Sequence, residues 1–229
     1  NGEGKRHELQ LGAVLAAHWR DRADGAFERG ELRFGGVPGL PAEPGLRIAG
    51  RARGFDLSGW LGLLPEGGQG GLPVALDLDF DALEFMGRRY ADIALTGRAQ
   101  AGGFRLDATG PALDGTLLWR APAGEPARLT ANFRRLAVPA AGAPAAAAPA
   151  AAIKLDAGKF PAIALEVADF SLAGRALGRL DARARGTPEG LAIEQLDLVH
   201  PDSRFAMSGL WRDGARGETR ARVALDISD

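Results

Sequence analysis

Three aspartates at alternate positions, Asp77, Asp79 and Asp81, have a spacing that could hold a cation, because D-x-D-x-D opens the oxygen cage of a calcium loop. Such a loop needs glycine at its sixth position and a bidentate glutamate at its twelfth; here those places hold Ala82 and Arg88. Alternate aspartates are better read as the solvated face of a strand. His7, His18 and His200 are far apart and lack HxxxH or HExxH spacing, so they make no zinc pair. The five serines include no G-x-S-x-G elbow. The glycines between Gly67 and Gly71 are not followed by Lys-Ser/Thr, and Gly158-Lys159 runs on into Phe160, so neither forms a phosphate loop. Four tryptophans, Trp19, Trp60, Trp119 and Trp211, could stack on a sugar, but Trp119 and Trp211 hold equivalent repeat positions, as strand-end residues do. With no cysteine there is no thiol nucleophile, thiolate metal site or disulfide. These residues predict no enzyme, no cofactor and no metal. A net charge of −1, from 28 Lys+Arg against 29 Asp+Glu, gives no electrostatic basis for binding nucleic acid.

The residues that do recur are apolar, and they recur at every second position. From Pro73 to Arg120 the chain reads as four short strands joined by tight turns, and the same outline returns from Pro161 to Arg212. Gly87 and Gly174 lie 87 residues apart, as do Gly103 and Gly190, while Trp119 and Trp211 lie 92 apart. A period this long, made of strands, indicates a sheet extended by repetition. In Leu9–Trp19, with Leu9, Leu11, Ala13 and Leu15 on one face, helix and strand compete because Ala and Leu favour helix; the turn-rich DRADG and a strand at Ala26–Phe34 that follow favour one strand there. Leu46–Arg53 alternates apolar and basic residues. Asp56 reads as a helix N-cap, and Leu57, Trp60, Leu61 and Leu64 form one helical face that Pro65 stops. Residues 139–158 are a low-complexity Ala/Pro-rich loop.

The expected fold is therefore all-β: a long, strongly twisted antiparallel meander sheet, repeat-built and curled into an open groove, with one short helix near 56–64. It divides into N-terminal strands plus the helix over 1–72, a first repeat over 73–138, the loop over 139–158 and a second repeat over 159–229. Asn1 and Asp229 suggest a piece cut from a longer protein.

The run GFDLSGWLGLLP, followed by strands carrying L-x-x-x-G-R, G-x-x-L and G-x-L-x-W, resembles the YhdP branch of the AsmA-like family, which also includes TamB. The resemblance extends from about Leu32 to the end. It implies a bridge-like lipid transfer protein anchored in the inner membrane, spanning the periplasm and carrying phospholipid towards the outer membrane in a β-groove. Adjacent β repeats of the same chain, phospholipid and the membranes at its ends are the implied partners. Under that reading the groove lining is Leu76, Leu78, Phe80, Ile93, Leu95, Phe104 and Leu106 in the first part of the chain, then Leu117, Ile163, Leu165, Val167, Leu180, Leu191, Ile193, Phe205, Met207, Val223 and Leu225. The alternative is a non-catalytic structural or assembly module, whose apolar face is a closed core and whose sheet edge binds a partner strand.

Overall fold

The computed structural model describes residues 4–56, 72–85, 87–140, 160–212 and 219–227. Among them every regular element is a strand: β1 (Arg6–Leu11), β2 (Leu15–Asp21), β3 (Phe27–Phe34), β4 (Gly45–Ala52), β5 (Phe55–Asp56), β6 (Val74–Phe85), β7 (Arg88–Gln100), β8 (Gly103–Thr109), β9 (Leu113–Arg120), β10 (Arg128–Val138), β11 (Ala162–Leu172), β12 (Arg175–Thr187), β13 (Gly190–His200), β14 (Ser203–Trp211) and β15 (Thr219–Ile227). The chain forms two compact units, Asn1–Pro111 and Ala112–Asp229. In the first, the sheet order is β1-β2-β3-β4-β6-β7-β8, with β5 beside β6; in the second it is β9-β10-β11-β12-β13-β14-β15.

Turn length decides strand direction. Strands joined by tight turns pair antiparallel, because a short link can only fold the chain back on itself. Three longer connections behave differently. β3 pairs parallel with β4 across residues 35–44, β4 pairs parallel with β6 across residues 53–73, and β10 pairs parallel with β11 across residues 139–161. The sheets are therefore mixed rather than wholly antiparallel, since a long link can carry the chain back to the starting end of the strand.

One further expectation changes. Leu9–Trp19 is not one strand: Gly12, at φ +58°, turns the chain between Leu11 and Leu15, and Val14 N–H donates to the Leu11 carbonyl at 3.3 Å. Asp56, expected to cap a helix, is the last described residue before that segment. It lies in β5, in parallel register with Glu84, beside Phe55 opposite Leu83. The rest of the expected helix, and nearly all of the Ala/Pro-rich loop, lie outside the described residues.

The buried side chains gather around β6 and β7 in the first unit, where Phe80 is 3 % and Ile93 1 % exposed, and around β11 and β12 in the second, where Val167 is 1 % and Leu180 6 % exposed. In the first unit Phe55 adds an aromatic contact, its ring 5.2 Å from Phe80 and 6.0 Å edge-on from Phe34.

Candidate functional site

Residues paired directly across a sheet project to the same face, so register shows which side chains share a surface. In the first unit three rows run through all seven strands from β1 to β8. The first is His7–Trp19–Gly30–Leu46–Val74–Ala99–Phe104, the second Leu9–Ala17–Leu32–Ile48–Leu76–Gly97–Leu106, and the third Leu11–Leu15–Phe34–Gly50–Leu78–Leu95–Ala108. A partial fourth row adds Ala52, Phe80 and Ile93. Apart from His7, every member is apolar or glycine. His7 stacks on Trp19 with ring centroids 5.0 Å apart, and its Nε2 lies 2.9 Å from the Asp21 carboxylate.

The second unit repeats the arrangement from β9 to β15. Its rows are Trp119–Leu129–Ile163–Ala184–Ile193–Gly209–Ala221, then Leu117–Ala131–Leu165–Ala182–Leu196–Met207–Val223, then Gly115–Phe133–Val167–Leu180–Leu198–Phe205–Leu225. Small residues are interspersed among the large ones on both faces. A Cβ added to Gly30 would come within 2.6 Å of the Trp19 Cβ, and one added to Gly97 within 3.1 Å of the Leu106 Cδ1, so these glycines make room for bulky neighbours on the adjoining strand.

Most of this surface stays in contact with solvent. Leu32, Leu46, Ile48, Leu76 and Leu106 are only half-buried, as are Ile163, Leu165, Leu191, Ile193, Leu196, Leu198, Phe205 and Met207. Towards the single-neighbour strands β1 and β15 the face opens further: Leu11 is 66 %, Leu225 63 % and Ile227 65 % exposed. A sealed core would bury these residues.

The opposite face is charged and paired. Arg47 Nη2 donates to Asp77 at 2.8 Å and Arg51 Nε to Asp81 at 2.7 Å, both from β4 to its parallel neighbour β6. Two of the three alternate aspartates are thus the acidic half of a cross-strand ladder. Arg135–Asp169, at 3.3 Å, repeats the pairing between β10 and β11. Hydrogen bonds to Asp81 and Asp107 hold the Arg51 and Arg105 guanidiniums above their usual range, and burial pushes the Tyr90 hydroxyl up. All three shifts lead away from neutral pH, where a general acid or base would have to titrate.

Register places all eighteen expected lining residues on these apolar faces. Leu76, Leu78, Phe80, Ile93, Leu95, Phe104 and Leu106 share the face of the first unit, and the other eleven that of the second. They differ in exposure. Leu78, Phe80, Ile93, Leu95, Val167 and Leu180 are buried, whereas Phe104, Val223 and Leu225 are exposed. The expected lining left out β1 to β4, with Trp19, Leu32 and Ile48, and Leu129, Phe133, Leu196 and Leu198 in the second unit, although Leu129 and Phe133 are in phase with Ala131 on their strand.

A family model described as YhdP protein matches residues 1–229. The chain belongs to the YhdP family. No curated protein and no solved structure matches it. The family match spans both units and so carries both apolar faces with it.

Proposed function

We propose that this chain of the YhdP family is a non-enzymatic segment of a bridge-like lipid-transport protein, and that it holds phospholipid acyl chains against the apolar faces of its sheets. The observation that carries this reading is the half-open apolar face repeated in both units. Seven strands about 4.8 Å apart span about 29 Å, and three rows cover about 14 Å along the strands. That face measures about 400 Å² per unit, its third row the most buried and the other two rows mostly half-buried or exposed. Each methylene removed from water gains about 0.8 kcal/mol, so even part of an acyl chain is retained. A surface without deep polar pockets holds no one position strongly, which suits a lipid that must slide. The resemblance to the AsmA-like family supports a periplasmic setting between inner and outer membranes, with the full-length protein anchored in the inner membrane.

A second reading is favoured by the edges. β1 and β15 each have one neighbour among the described residues, and the exposed Val223, Leu225 and Ile227 suit a partner strand added alongside β15. Native mass spectrometry of the purified chain, with extraction and analysis of any bound lipid, separates the two. Co-purifying phospholipid supports the conduit; a lipid-free chain that captures a partner only through β15 replaces it with the assembly role.

A further inference from the structure

The apolar face of the first unit changes character along β1 and β2. At one end it carries charge. Trp19 and Asp21 lie two residues apart in β2 and project to one side, and the contacts agree: His7 stacks on Trp19 with ring centroids 5.0 Å apart, and its Nε2 lies 2.9 Å from Asp21 Oδ2. Lys5, just before β1, alternates in step with His7, Leu9 and Leu11. Its carbonyl accepts the Asp21 N–H at 2.9 Å, which sets Lys5 and Asp21 opposite each other. Lys5, His7 and Asp21 therefore stand on the side of the sheet that bears the apolar rows, beside the row of Trp19, Gly30, Leu46 and Val74. Arg6, Arg20 and Arg29 point to the other side.

The other end of the same two strands is uncharged. No Asp, Glu, Lys or Arg occurs from Leu9 to Ala17, or from Phe34 to Ala42 at the end of β3 and in the connection after it. Gly35 N–H donates to the Val14 carbonyl at 3.1 Å, so these two stretches meet, and Leu9, Leu11, Val14 and Val37 are all exposed. Nor do the charges at the first end neutralise one another. Opposite charges facing across a strand pair attract. Asp21 nevertheless turns to His7, out of line for a hydrogen bond, and Lys5 is exposed and makes no ion pair among the described residues.

We propose that Lys5, Asp21 and Trp19 seat the headgroup of a phospholipid that carries an ammonium beside its phosphate, with an acyl chain laid along β1 and β2 towards Leu11 and Leu15. The inference rests on the lipid-binding reading above and adds the class of lipid and its direction. Lys5 supplies a cation for the phosphate and Asp21 a carboxylate for the ammonium. Directly opposed residues stand about 5.5 Å apart at Cα, so both charges lie within reach of one headgroup. Trp19 suits the level where ester and hydrocarbon meet, because its ring is apolar and its N–H polar. From Lys5 to Leu11 the strand measures about 20 Å, room for a headgroup followed by a long run of methylenes. The exposed Leu9 and Leu11 of β1, which has one neighbour among the described residues, leave that path open from the side.

The test compares three lipids on the whole chain: phosphatidylethanolamine, phosphatidylglycerol, which lacks the ammonium, and diacylglycerol, which lacks the phosphate as well. Lys5→Gln should weaken both phospholipids about five-fold at low salt and leave diacylglycerol unchanged. Asp21→Asn should weaken phosphatidylethanolamine by about the same factor and spare phosphatidylglycerol. Equal loss of all three lipids in Lys5→Gln, or loss of none, overturns the seat; Lys5 is exposed, so that variant keeps the fold and decides alone if Asp21→Asn does not fold. Loss of both phospholipids alike in a folded Asp21→Asn removes the ammonium from the proposal. A second arm fixes the direction. With Trp60→Phe, Trp119→Phe and Trp211→Phe, the remaining Trp19 should be quenched more by phosphatidylethanolamine brominated near the head of an acyl chain than near its tail end. Equal or stronger quenching from the tail end overturns the direction. If the unmodified chain binds diacylglycerol as tightly as either phospholipid, the seat falls while the apolar track stands. If it takes up no lipid at all, the lipid-binding reading itself falls and the seat with it.

Discussion

Among the described residues Ile93 and Val167 are the largest side chains fully withdrawn from water, each 1 % exposed; Ile93 pairs with Phe80 in the first unit and Val167 with Leu180 in the second. Removing buried methyl groups loses both transfer energy and packing contacts, so Ile93→Ala should cost about 2–5 kcal/mol. Leu165, half-buried one row along from Val167, should cost clearly less when cut to alanine. Urea unfolding of the two variants checks the contrast, and equal losses would mean that the half-open part of the face is packed as tightly as the rest. A gain is expected at Ala173. The β11–β12 hairpin turns through Ala173 at φ +51° and Gly174 at φ +79°, between the paired Leu172 and Arg175. Positive φ at both central residues defines a type I′ turn, which favours asparagine or glycine, while alanine pays for its Cβ. Ala173→Asn should therefore raise stability by about 0.5–1 kcal/mol, and an unchanged urea midpoint would show that the turn is not strained.

At the level of strands, period-two alternation made β6 to β9 and β11 to β14 legible, because apolar and charged residues change sides at every step with few interruptions. Legibility failed where a bulge changed the phase. In β13 the face passes from Leu191 and Ile193 to Leu196 and Leu198, because an extra residue enters between Ile193 and Leu196. A strict count of two steps past Leu196 and Leu198. The bulge between Phe133 and Arg135 does the same to Leu136. The β1–β2 hairpin was hidden because Gly12 sits in an apolar run without the usual cluster of turn residues. Parallel pairing was readable in principle from the long connections, but only once the strands had been placed. Gly50 marks another such irregularity. It lies opposite Phe34 at φ +112°, and a Cβ there would run into the Phe34 backbone oxygen. Gly50→Ala should cost about 1–3 kcal/mol through backbone strain. For a unit of this size that lowers the melting temperature by about 4 °C per kcal/mol, and an unshifted melting curve would show that β3 and β4 tolerate the side chain.

For the molecule as a whole, the question is whether its apolar faces serve folding alone or hold a mobile guest. A charge placed on them separates the two uses. Leu165 and Ile193 lie mid-strand on the face of the second unit and are half-buried, whereas Val167 is sealed. A carboxylate in an apolar setting costs several kcal/mol unless water reaches it, and water does reach a half-open face when no lipid covers it. Leu165→Asp and Ile193→Asp should then leave the chain folded, with a melting temperature close to that of the parent, and should lower the phospholipid recovered per chain. Val167→Asp forces the charge into a closed site and should unfold its unit, since the total stability of a domain is only about 5–15 kcal/mol. Each variant needs both measurements, thermal unfolding and bound phosphorus. If all three variants unfold, the face is a core and the groove is lost as an explanation. If Leu165→Asp and Ile193→Asp fold and carry as much lipid as the parent, lipid does not travel along this surface.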